Sequence, residues 1–300
     1  MQKIKTAAQT FIDAEVLMPS VRQKKSSMLQ RFFLLTVVLC LISAFPYNAI
    51  AVNYFDGSRA KEGFYFLTYT YACYADETTD KNGKVANKDF GLFSAQEILR
   101  LCYYTPDFVA TVVVPFGYTK ISSLDQDSFG LGDLSIGAGY FLPVKQVDIL
   151  PMLFVKFPTG RYDKEKTANI GSNQYDIAPM IFMHKTMGSF SIDAAVKYYF
   201  RLENNDTDVA PGDELRLEGL IGYNITEKFK SGPAVNWMKS RDRKQDGSRI
   251  SGSAREKLSL GADCYYRFPW LSVTLTYLYD IHTENSPKGH FVQLKTVYRF

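Results

Sequence analysis

The chain has 300 residues, a formal net charge of +4, 46% apolar and 15% aromatic residues, and four cysteines. That composition excludes a disordered chain, which is poor in aromatic and branched residues, and a disulfide scaffold, which needs a dense cysteine framework. Only one apolar run approaches the length of a membrane-spanning helix, so a bundle of such helices is excluded, and a small positive surplus without a concentrated basic patch does not point to nucleic acid.

Taken in chain order, the first segment reads as an export signal. Arg22, Lys24, Lys25 and Arg31 form a basic stretch, the apolar run Phe32 to Phe45 follows, and Ala49 and Ala51 stand three residues and one residue before a cleavage point after Ala51. This is the order of a secretory signal peptide, and the apolar core is short for a membrane anchor. Translation from Met28 would give a signal of ordinary length. Residues 1–51 hold six basic and two acidic residues, so the expected mature chain from Val52 carries 29 of each sign and its charge says nothing about partners. The expected organisation is a signal peptide over 1–51 and a single domain over 52–300.

Beyond Val52 no stretch repeats apolar residues at helical spacing, whereas alternation of period two recurs about twelve times. The expected strands cover 64–74, 97–104, 108–118, 131–141, 147–157, 175–185, 190–200, 213–223, 229–239, 256–268, 271–280 and 290–300. Most set an apolar face against a charged one. Leu99, Leu101 and Tyr103 oppose Arg100; Ile177, Ile181 and Met183 oppose Asp176 and His184; Leu215, Leu217 and Ile221 oppose Glu214, Arg216 and Glu218. In 64–74 the large residues Tyr65, Leu67, Tyr69 and Tyr71 share a face with Cys73, read as outward, against Thr68 and Thr70. The segment 108–118 is apolar on both faces, so its orientation is open.

A soluble sandwich alternates with its polar face outside, and a membrane barrel inverts the sense, with apolar residues toward lipid and polar residues toward the lumen. Strands near ten residues suit a tilted bilayer crossing. The links decide between the two. Short turns (at Pro106, Pro143, Gly188, Thr226 and Pro269) alternate with long polar segments, namely 76–91, 119–130, 158–174, 201–212, 239–254 and 280–289. An up-and-down barrel puts every long link on one rim and every short one on the other. The expected fold is therefore all-β: an up-and-down antiparallel transmembrane β-barrel of about twelve strands in the bacterial outer membrane, with short periplasmic turns and long extracellular loops. Tyr103, Tyr140, Tyr175, Tyr198, Phe200, Tyr223 and Tyr279 at strand ends suit interfacial aromatic girdles. The last strand ends on Phe300 with Val292, Leu294 and Tyr298 on one face, the form of a C-terminal signature handed to the outer-membrane assembly machinery.

This register sends Arg100, Asp133, Asp148, Lys156, Asp176, Asp193, Lys197, Glu214, Arg216, Glu218, Lys257 and Asp263 into the lumen, either as a polar pore lining or as an ion-pair network that fills the interior. Met152, Phe154, Met180, Phe182 and Tyr199 are candidates for an inward apolar patch that suits a small aromatic solute. A twelve-strand barrel lies between one filled by its side chains and an open water channel.

Three stretches carry a resemblance: GLGDLSIGAGYFLP (130–143), FPTGRYDKEKTANIGSNQYDIAP (157–179) and the aromatic C-terminal strand. In this order they resemble the outer-membrane family of meta-pathway phenol-degradation proteins, signal-bearing barrels often encoded beside genes for aromatic catabolism. The resemblance implies a channel admitting small hydrophobic or aromatic molecules. It brings no substrate-binding residues with it.

Other chemistries find little footing. A serine hydrolase needs a histidine beside a serine with an orienting partner; His184 has only Ser189 nearby in sequence, His282 and His290 fall in or beside a long link, and no G-x-S-x-G occurs. The three isolated histidines and Cys73, Cys102 and Cys264 lack metal-ligand spacing, and the acidic runs at 76–80 and 125–127 read as solvated loops rather than calcium sites. No enzyme activity and no cofactor are expected. The expected partners are membrane lipid, the assembly machinery and small solutes. The competing reading is a structural or surface-interaction barrel with a plugged lumen.

Overall fold

The computed structural model describes residues 51–300; the expected export signal, Ala51 apart, lies outside them. Twelve strands form the wall: β1 Gly63–Thr79, β2 Leu92–Tyr104, β3 Phe108–Ile121, β4 Ser135–Tyr140, β5 Asp148–Lys156, β6 Asp176–Met187, β7 Phe190–Arg201, β8 Glu214–Asn224, β9 Phe229–Ser240, β10 Glu256–Arg267, β11 Ser272–Glu284 and β12 Pro287–Arg299, with the short strand Gln126–Leu131 paired on the upper half of β3. Each pairs antiparallel with its sequence neighbour. β12 then pairs with β1, from Tyr65 opposite Arg299 to Tyr74 opposite His290, and the sheet closes. Closure satisfies the ladder and leaves no edge facing hydrocarbon.

The wall has its polarity reversed relative to a soluble protein. Leu101, Ile136, Ile181, Ile221 and Leu275 stand 45–51% exposed on the outer face, while Asp193, Asp263 and Gln293 inside are fully buried. An exposed apolar belt of that size is a liability in water and a requirement in lipid. Aromatic pairs ring the short-turn rim: Phe64 with Tyr103 at 4.8 Å, Phe190 with Tyr223 at 5.0 Å and Tyr298 with Phe300 at 5.3 Å between centroids. Phe157 with Tyr175 and Tyr198 with Phe200 do the same on the long-loop rim.

Three features of the register depart from the sequence reading or complete it. β1 is turned over: Tyr69, Tyr71 and Cys73 face the lumen, where the Tyr69 hydroxyl meets Arg100 and the Tyr71 hydroxyl donates to Gln96. Thr68 and Thr70 face outward, bonded to Thr296 and Glu97. Period two defines two faces without saying which is inside, and a tyrosine with a polar tip suits the wet side as well as a threonine does. Cys73 and Cys102 thus share the inner face, yet Cys102 pairs with Tyr65, eight residues from Cys73 along β1, and both thiols are free. β3, apolar on both faces, turns Thr111 and Val113 inward and Val112 and Phe116 outward. The link expected over 280–289 is not a long loop. β11 and β12 continue through it and meet at Asn285 and Ser286, with Asn285 in the left-handed region (φ 46°), so His282 sits within a strand, and so does His290.

Candidate functional site in the barrel lumen

The lumen is organised in three levels, beginning at the short-turn rim. Residues 51–62 run inside the barrel, and Ala51 to Tyr54 are buried. The segment forms no strand; Asp56 N and Ser58 N close local turns, and several other backbone N–H groups donate to side chains. Val52 N donates to Glu218 at 2.7 Å and Phe55 N to Asp193 at 2.8 Å. Asn53 donates to Asp263 and Thr276 and accepts from Gln293. Asp56 pairs with Lys295, two side chains each no more than 10% exposed. Arg59 pairs with Asp107 at 2.9 Å and Asp148 at 3.4 Å, with its guanidinium 4.8 Å from the Phe141 ring centroid. His184 Nδ1 lies 2.7 Å from Asp193 and its ring packs on Phe55. The inward acids of β5, β7, β8 and β10 thus hold this segment, which narrows the periplasmic mouth.

Above it lies a cavity of about 170 Å³ lined by Tyr69, Ile98, Val113, Phe154, Met180 and Phe182, with Asp56 of the inner segment at its floor. Tyr199 closes its upper side, and Met152 is buried in the wall core next to it. The charges at its edge are partnered. Lys156 reaches Asp176 at 2.6 Å, Lys197 reaches Glu218 at 2.7 Å, and Arg100 donates to Thr111. The Arg100 guanidinium lies 5.8 Å from the Phe154 ring centroid and the Lys197 ammonium 5.7 Å from that of Phe182. The cavity is therefore apolar at its centre and cationic on its flanks, a setting in which ring faces are well received.

The third level is a vestibule of about 910 Å³ toward the long loops, which shares Ile98, Val113, Lys156 and Tyr199 with the cavity below. Its inner wall is built by the sequence motifs. Asp133 accepts Gly160 N, Ser172 N and Ser172 Oγ, tying the chain after Gly132 to the long link between β5 and β6. A Cβ on Gly160 would stand 2.7 Å from the backbone of Gly132, and one on Gly171 would stand 2.7 Å from Gly160, so the three backbones stack only with glycine at 160 and 171. The loop is thereby folded inward. A side compartment of about 250 Å³ holds Glu214, Glu218, Trp237, Arg255, Lys257 and Asp280, with Lys257 and Asp280 paired at 2.8 Å.

The sequence-derived candidates are distributed over these levels. Asp148, Asp193, Glu218 and Asp263 meet the inner segment. Arg100, Lys156, Asp176, Lys197, Phe154, Met180, Phe182 and Tyr199 line the apolar cavity, Asp133 and Arg216 the vestibule, and Glu214 and Lys257 the side compartment. Sequence reasoning missed the inner segment, which has no periodicity to read, and missed Tyr69 and Tyr71 through the inverted face of β1. It also missed Arg201, which the inward series Lys197, Tyr199, Arg201 on β7 would have supplied. Among the described residues no cluster of three metal-binding side chains occurs.

The comparisons agree on the architecture. The crystal structure of the COG4313 outer membrane channel from Pseudomonas putida F1 superposes with a TM-score of 0.77 at 19% identity, covering 83% of this chain and 100% of that one. The NanC porin superposes with a TM-score of 0.51 at 9% identity, covering 78% of this chain and 100% of that one. At these identities the likeness is one of fold, that of an outer-membrane barrel. Curated protein sequences gave no match. Residues 75–296 match the family described as "Putative MetA-pathway of phenol degradation", and the chain belongs to that family.

Proposed function

We propose that this member of the phenol-degradation family is a passive outer-membrane channel for small hydrophobic or aromatic compounds. One observation carries the reading: the lumenal cavity of about 170 Å³ against β1–β7, faced by Phe154, Met180, Phe182 and Tyr199, between a wide vestibule and a non-strand segment. An apolar cavity of roughly 150 Å³ is large enough to take up benzene. The segment over 51–62 is held by side-chain contacts rather than by a β-ladder, so it can yield without opening the wall. In this reading the chain is exported by cleavage after Ala51, and its C-terminal strand ending at Phe300 presents it to the assembly machinery.

The segment also favours a second reading, a barrel kept closed that serves as a surface scaffold. Liposome uptake of radiolabelled phenol separates the two. A channel admits phenol, admits it faster when residues 53–60 are replaced by a short glycine-serine linker, and admits it more slowly with Phe154→Ser. No uptake by either the intact protein or the linker variant would sink the channel reading.

A further inference from the structure

We infer that the vestibule is an anion site and that the solute taken by the barrel is an aromatic monocarboxylate, its ring in the apolar cavity and its carboxylate on Arg201 and Arg216. The inference rests on the channel reading and narrows its substrate class. The first observation is a charge imbalance. Around the vestibule stand six basic side chains, Lys156, Arg201, Arg216, Arg241, Arg243 and Arg255, and one acid, Asp133. Asp133 is occupied by Gly160, Ser172 and, at 3.8 Å, Lys156, and Lys156 is itself drawn to Asp176.

Arg241 lies 3.7 Å from Asp213, and three of the other guanidiniums converge on one carboxylate. Glu214, with a side chain 1% exposed, lies 2.6 Å from Arg216, 3.3 Å from Arg201 and 3.3 Å from Arg255. Three cations on one anion leave two positive charges unmatched within the cluster, offset only in part by Asp133 and Asp176, which share the single Lys156. A second carboxylate completes such a cluster, because guanidinium forks take carboxylates in pairs of hydrogen bonds.

The second observation is independent of the charge balance. The Nε–H of Arg201 is buried without a hydrogen-bond partner among the described residues. A buried guanidinium donor normally has an acceptor, and an incoming oxyanion supplies one. The third is spacing. Tyr199 lines both chambers and Arg201 follows two residues later on the same face, about 7 Å along the strand. The Arg216 guanidinium lies 5.1 Å from the Tyr199 ring centroid, which puts it at the same boundary. A benzene ring below that boundary with a carboxylate above it matches this span. A bare inorganic anion uses only the upper half, and a neutral aromatic only the lower.

The test uses the purified full-length mature barrel and titration calorimetry with three probes: sodium benzoate, benzyl alcohol as its neutral counterpart, and inorganic phosphate. Boiled and unboiled gel mobility controls for folding. We expect benzoate to bind more tightly than benzyl alcohol and phosphate. Arg201→Gln weakens benzoate about tenfold or more while leaving benzyl alcohol unchanged, as loss of a charged hydrogen bond does. Phe154→Ser weakens both aromatics and leaves phosphate unchanged. Rising KCl weakens benzoate and phosphate but not benzyl alcohol in the unmodified protein, which keeps the test independent of whether any variant folds. Equal binding of benzoate and benzyl alcohol, insensitive to salt and to Arg201→Gln, would overturn the anion site and leave the channel reading standing. Phosphate as strong as benzoate would overturn the aromatic half. Absence of any aromatic binding together with absence of phenol uptake would remove the channel reading itself.

Discussion

At the scale of single residues, the lumen depends on pairing. Lys295 and Asp56 are both nearly excluded from solvent, and the pair fastens the inner segment to β12. Removing one partner strands a buried charge at a cost of about 3 kcal/mol or more, whereas removing both costs far less. Lys295→Met should therefore release the segment, seen as faster protease cleavage within residues 52–62 and a larger single-channel conductance. The double variant Asp56→Asn with Lys295→Met should hold the segment nearly as the unmodified protein does. A double variant as open as the single one would mean that the pair does not act as a unit. The inward acids were legible as residues because each opposes an apolar neighbour in the alternation, as Asp193 opposes Ile192 and Asp263 opposes Ala262. Their partners were not legible. Asn53 and Gln293 lie 240 positions apart, and no local pattern links such groups.

At the scale of elements, the long-loop rim shows how loops acquire order. Val209–Ala210, Lys244–Gln245 and Ser248–Arg249 form a small three-stranded sheet above the wall. Its tight turn is Asp246–Gly247, both in the left-handed region (φ 49° and 74°), the pairing that two-residue hairpins favour. Asp242 ties the base of this hairpin to Arg249 and to Ala254 N, and the Arg249 hydrogen bond holds its carboxyl below the ordinary carboxylate range. A depressed folded value means that the contribution is complete above the unfolded value, about 4, and is lost as pH falls through the lower folded one. Limited proteolysis between Arg243 and Arg255 should thus be constant from neutral pH down to about 4 and rise only below it. Asp242→Asn should give the acid pattern at neutral pH. Loss of protection beginning near pH 6 would point to another group. Alternation placed the wall strands but not their ends, since β11 and β12 continue through a polar stretch that reads as loop. Ladder hydrogen bonds extend a hairpin past the membrane wherever the flanking strands stay aligned, whatever the hydropathy.

At the scale of the whole molecule, stability comes from closure, because every strand has two neighbours only when β12 meets β1. The intact barrel should stay compact in detergent and shift its gel mobility only on boiling; a chain ending at Asn285, without β12, should show no such shift, its two edges being open. A truncated chain with the full shift would show that closure is not what resists the detergent. The sequence by itself determined the class of fold, the twelve strands and the aromatic rims, because a period of two, a bilayer's thickness and alternating link lengths are local quantities. It also contained many of the charged residues found inside the wall, since hydrocarbon outside disfavours charge, although Glu97 bonds the outward Thr70. Only the tertiary structure decided which face of β1 looks inward, that residues 51–62 occupy the mouth, and that Arg201, Arg216 and Arg255 meet on Glu214. Those outcomes depend on which strands become neighbours across the closed sheet and on where a buried charge finds its partner, and both are set by contacts far apart in the chain.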